Sequence, residues 1–103
     1  MIKLKYWIFM FTVHALHPLT ILHVSVSTDN NPGGIGDVGD LRYCLNAMNQ
    51  NLNTTPDDHA IVFDFPMTIQ LNGILPIINN SANPVNITIG NPGSIPTVTI
   101  DGN

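Results

Sequence analysis

The chain has 103 residues and a formal charge of −4, with only 10% of its residues charged, against roughly 25% in ordinary soluble domains. One small domain at most fits this length. Its three fixed cations, Lys3, Lys5 and Arg42, exclude the clustered basic footprint of a nucleic-acid binder, and the single cysteine, Cys44, excludes an internal disulfide.

Taken in order, Met1 to Lys5 followed by the apolar run Tyr6–Val13 has the basic start and hydrophobic stretch of a secretory signal peptide. His14, His17 and Pro18 interrupt the run before it resumes through Leu19–Leu22. A membrane span of about twenty continuous apolar residues is therefore not expected. Residues 1–23 read as a signal peptide or hydrophobic leader, and residues 24–103 as the part that folds. That reading places the protein outside the cell or on its surface.

Val24–Thr28 alternates apolar and polar residues, the period of a half-buried strand. Asp29-Asn-Asn-Pro-Gly-Gly34 breaks it, and the glycine-rich stretch continues to Gly39. Asp40 then stands where a helix N-cap belongs, its carboxylate able to accept the unpaired amides of a first turn. Leu41, Leu45, Met48 and Leu52 follow at helical spacing, with Cys44 on the same face. They predict one amphipathic helix of about ten residues, ended by the Asn-rich stretch from Asn49 to Pro56. Pro56-Asp57-Asp58-His59 reads as a turn.

Beyond His59 the period shortens to two. Ile61, Phe63 and Phe65 alternate with Val62 and Asp64, and Thr68-Ile69-Gln70-Leu71 alternates too. Leu75–Asn79 is a further apolar run. Ile87 and Ile89 alternate with Asn86 and Thr88, and Val98 and Ile100 with Thr97 and Thr99. The inward sets are apolar; the outward sets are Thr, Asn, Gln and Asp. Strands this short bury little as isolated hairpins. Stacked coils, each strand parallel to the one in the next coil, would give the apolar residues a continuous interior.

Val24-Ser-Val-Ser-Thr-Asp29, a glycine-rich loop, and Gly39-Asp-Leu-Arg-Tyr-Cys-Leu-Asn46 together resemble the opening of right-handed parallel β-helix surface proteins of the pectin-lyase-like superfamily, autotransporter-like passengers among them. Ala60–Asp64, Thr68–Leu71, Leu75–Ile77, Ile87–Gly90 and Val98–Gly102 resemble that family's first coils in order. The resemblance covers residues 24–103. Cys44 stands where the family tends to have a small residue, and the stretch from Asn49 to Thr55 is richer in Asn.

The resemblance implies an all-β fold: a right-handed parallel β-helix, seen as its N-terminal cap with one amphipathic helix and the first one to two coils. Asp40, Leu41, Arg42, Cys44, Leu45 and Met48 would form the structural cap over the solenoid's open end, with Arg42 paired to an Asp or to strand-end carbonyls. The chain would continue into further coils beyond Asn103. By the same resemblance the whole protein would be a secreted or cell-surface adhesin or passenger, at the outer membrane in a Gram-negative bacterium. It would present its surface to carbohydrate or a host. The alternatives are the start of a pectate-lyase-like lyase or hydrolase with its site on later coils, and a truncated reading frame without function.

No catalytic, cofactor or metal residue is expected in this stretch. Asp64 and Asp101 could bind calcium or act as acid and base if paired, yet no cation follows Arg42, so they read as solubilising turn residues. Asp57-Asp58-His59 point apart on an extended turn, and His14, His17 and His23 lie in or beside the leader, so zinc ligation is not indicated. Cys44 has no neighbouring base to form a thiolate. Gly33-Gly34-Ile35-Gly36 lacks the following Lys of a phosphate loop. Asn53, Asn79 and Asn86 each begin a glycosylation sequon, a match that an Asn-rich chain also produces by chance.

Overall fold

The computed structural model describes residues 18–54, 57–78, 85–90 and 97–102. The basic and apolar runs of the expected leader, up to His17, lie outside these residues. Strand β1 (Leu19–Val24) pairs in parallel with β2 (Asp58–Phe63), in a register that sets Leu19 opposite Asp58 and Val24 opposite Phe63. β3 (Met67–Gln70) follows β2 after a bend. β4 (Ile87–Ile89) adds to the free side of β2, and β5 (Val98–Asp101) pairs in parallel with β3. Between β1 and β2 runs helix α1 (Leu41–Thr54).

This architecture overturns the expectation of an all-β right-handed parallel β-helix. The described residues form one helix and five strands in two small parallel sheets, ordered β1-β2-β4 and β3-β5, and not a solenoid. The physical reason lies in the core. Leu41, Cys44, Leu45, Met48 and Leu52 of α1 are buried with Val24, Ile61, Phe63, Met67 and Ile69 of the strands, so the helix supplies as many buried apolar side chains as the sheets. The strands also shorten, from six residues in β1 and β2 to three in β4 and four in β5. Ile89 and Ile100, opposite the buried Ile61 and Ile69, remain 46% and 44% exposed.

Three local expectations shift as well. The first strand ends at Val24 rather than starting there, because the amides of Ser25 and Val26 both turn to the Gly39 carbonyl. The fold thus uses Leu19–His23, residues the apolar run had joined to the leader. Phe65 is 43% exposed instead of inward, since the chain bends at Asp64 and Phe65 directly after β2. And α1 continues through the Asn-rich stretch: buried Leu52 extends its apolar stripe, while Asn49 Nδ2 donates to the Ile77 carbonyl at 2.9 Å.

The run Leu75–Asn79 forms no strand as far as Ile78, the last described residue there. Its neighbours explain why. Backbone groups of Asn72, Gly73 and Ile74 are bonded to Asp29 and Arg42 instead of to a ladder partner.

Candidate functional site

Asp40 Oδ1 accepts the Tyr43 amide at 2.7 Å, and its Oδ2 accepts the Asp37 amide at 2.9 Å. One carboxylate therefore closes the turn before the helix and caps the helix itself. Gly36 and Gly39 in this turn sit at φ of 88° and 94°, a region open to glycine and costly for side chains. A Cβ on Gly36 would also lie 2.5 Å from the Tyr43 nitrogen.

One residue into the helix, Arg42 turns back under the loop. Its Nε donates to Asp29 Oδ1 at 2.7 Å and its Nη2 to Asp29 Oδ2 at 2.9 Å, with both side chains buried. Nη1 donates to the Ile74 carbonyl at 2.7 Å and Nη2 also to that of Gly73 at 3.1 Å. Asp29 completes the ring: Oδ2 accepts the Asn72 amide at 2.8 Å, and its carbonyl accepts Asn72 Nδ2 at 2.7 Å. The Arg42 guanidinium holds the Asp29 carboxyl below the usual carboxylate range against the opposing effect of burial, and Asn72 helps. The guanidinium is in turn held more firmly protonated by Asp29.

This buried pair fixes the bend after β3. Leu71, Asn72, Gly73, Ile74 and Leu75 line an open depression of roughly 560 Å³, with Gly102 just beyond β5 on its other side. Beside it lies the outward face of the β3–β5 sheet. Thr68 stands opposite Thr99 and Gln70 opposite Asp101, all exposed. Side chains on adjacent strands at this register lie within about 5 Å of one another. The result is an exposed array of two hydroxyls, an amide and a carboxylate, chemical groups that between them both donate and accept hydrogen bonds.

The other residues singled out from the sequence lie elsewhere. Leu41, Cys44, Leu45 and Met48 are in the core. Burial raises the Cys44 thiol to about 11, with smaller contributions from Asp40 and Asp64; its Sγ donates weakly to the His23 carbonyl at 3.4 Å. His23 Nδ1 meets Asp64 Oδ1 at 2.7 Å on the surface, tying β1 to the residue after β2. Asp57 and His59 come together differently from the expected solvated turn. His59 is buried at the start of β2, its Nδ1 2.8 Å from the Asp57 carbonyl, and Asp57 Oδ2 accepts the Thr20 hydroxyl at 3.2 Å. His59 Nε2 has no hydrogen-bond partner among the described residues. Among the described residues, no group of three or more His, Cys, Asp or Glu side chains is placed to hold a metal ion.

Reading the sequence alone missed Asp29, Asn72 and the depression. Asp29 and Asn72 look like turn residues, and only their approach across the fold gives them a shared role. Compared with protein-family models, curated proteins and solved structures, the chain matches none of them.

Proposed function

We propose that this chain is a non-catalytic binding module of an exported or cell-surface protein, and that it presents the outward face of the β3–β5 sheet to carbohydrate. One observation carries this reading: the array Thr68, Thr99, Gln70 and Asp101 adjoins a depression whose wall is held in place by a buried ion pair. Sugar hydroxyls need alternating donors and acceptors on a rigid support, and this array offers both. Its low charge favours recognition by hydrogen bonding over electrostatic attraction.

The test is binding of the full chain to an array of surface polysaccharides and host glycans. Binding should persist at high salt, where attraction between exposed charges is screened. Gln70→Ala and Asp101→Ala should each weaken it about tenfold, the equivalent of about 1.4 kcal/mol. Absence of binding to every glycan, or binding that these substitutions leave unchanged, refutes the proposal.

A further inference from the structure

Three sequons occur in the chain, and in one of them, Asn86-Ile87-Thr88, both recognition residues are described. Asn86 immediately precedes β4, and Thr88 is its middle residue. In an extended segment, residues two apart point to the same side. Asn86 and Thr88 are both exposed, while Ile87 between them is partly buried and faces the core.

The backbone of Asn86 is pinned. Its amide donates to Asp58 Oδ1 at 2.9 Å, and its carbonyl accepts the His59 amide at 3.0 Å. Its side chain is not: neither the Asn86 carboxamide nor the Thr88 hydroxyl is used in a hydrogen bond with a described residue. Other asparagines do structural work through their side chains. Asn46 Nδ2 bonds the Ile35 and Arg42 carbonyls, Asn49 Nδ2 that of Ile77, and Asn72 Nδ2 that of Asp29. None of these three begins a sequon.

We propose that Asn86 is an N-glycan acceptor, a modification compatible with the folded chain and placed at the rim of β4. The donor would be a lipid-diphosphate-linked oligosaccharide. The bond between the sugar's anomeric carbon and the diphosphate breaks, the lipid diphosphate leaves, and a bond forms from that carbon to Asn86 Nδ2, which gives up one proton. In the folded product the glycan extends into solvent, and no described side-chain hydrogen bond is lost. This inference rests on the proposed export of the chain.

The experiment is translation of the full chain with glycosylation-competent microsomes, in two arms. One arm keeps residues 1–23 as they are; the other places a signal sequence of known activity before the whole chain. Protease protection reports entry, and a glycosidase-sensitive mobility step reports each glycan. In the fused arm, Asn86→Gln and Thr88→Ala should each remove one step, and Thr88→Ser should keep it. A protease-protected chain with no Asn86-dependent step overturns the acceptor assignment. If only the fused arm is protected, the native N-terminus does not direct entry; that outcome counts against export by its own leader, while the fused arm still decides Asn86.

Discussion

Arg42 and Asp29 face each other through two parallel hydrogen bonds, Nε to Oδ1 at 2.7 Å and Nη2 to Oδ2 at 2.9 Å, across thirteen positions of chain. Both side chains are sealed from water, 3% and 2% exposed. The remaining donors of Arg42 reach Gly73 and Ile74, so a single guanidinium joins the loop after β1, the start of α1 and the bend after β3. Charges withdrawn from water in this way are costly to leave unpaired.

Removing one partner is therefore far worse than removing both. Arg42→Met should destabilise the chain by about 3–5 kcal/mol, because Asp29 is left buried without its counter-charge. Arg42→Met combined with Asp29→Leu should recover a large part of that loss. Urea unfolding of the two single variants and the double variant measures the coupling. Additive losses would show that the two side chains do not act as a unit.

The same pair sets the response to acid. Asp29 titrates below its ordinary value of 3.8 in the folded chain, so around that pH the unfolded chain binds more protons. Its contribution is complete above the unfolded pKa, about 4, and is lost as pH falls through the lower folded value. Unfolding free energy should decline over that interval. Asp29→Asn should start less stable and show a shallower decline; an identical slope in the variant would assign the acid response to other groups.

Cys44 gives the opposite sign. Its folded pKa is raised from 9.0 to about 11, so the folded chain binds more protons between these values. The contribution is complete below the unfolded pKa and is lost as pH rises through the folded one, on the order of 2–3 kcal/mol in total. Cys44→Ala should flatten this alkaline decline. In the native chain at pH 8, a thiol reagent should label Cys44 only at the rate of opening, and urea should restore ordinary reactivity.

The two ends of the apolar core predict contrasting mutants. Leu45 is buried against the sheets, so Leu45→Asp should abolish cooperative melting by placing an unpaired charge in the core. Ile89, nearly half exposed on the edge strand β4, should accept Lys with a change within about 0.5 kcal/mol. Ile89→Lys should also reduce association at high concentration, because a charged edge resists strand pairing. Light scattering beside thermal melts separates these effects.

Several elements were legible before the fold was known, and for physical reasons. Asp40 followed by Leu41, Leu45, Met48 and Leu52 marks a helix from its cap and stripe alone. The alternation of Thr68-Ile69-Gln70 survives as exposed, buried and exposed positions in β3, which ends before Leu71. The start of β1 was hidden because Leu19–Leu22 continues a hydrophobic run, and composition cannot separate a strand from the tail of a leader. The architecture was misjudged because period-two runs specify which face is buried, not how many strands join a sheet. The depression was invisible for a related reason. Its wall depends on Asp29 reaching Arg42 and Asn72, and neither approach leaves a local signal.

The parallel pairing also carries a consequence for the order in which the molecule is made. Leu19 waits for Asp58, His59 for Ile87, and Met67 for Val98. No described strand finds its neighbour nearby in the chain, and α1 is the one described element whose ladder of backbone hydrogen bonds joins close residues. A growing chain therefore emerges with its strand segments unpaired, and its sheets close only when distant segments have appeared; α1, at 14 residues, is marginal until it packs on them. High contact order of this kind makes folding slow. Until those distant segments appear, each strand segment keeps a row of unpaired backbone groups, a template on which one chain can pair with another.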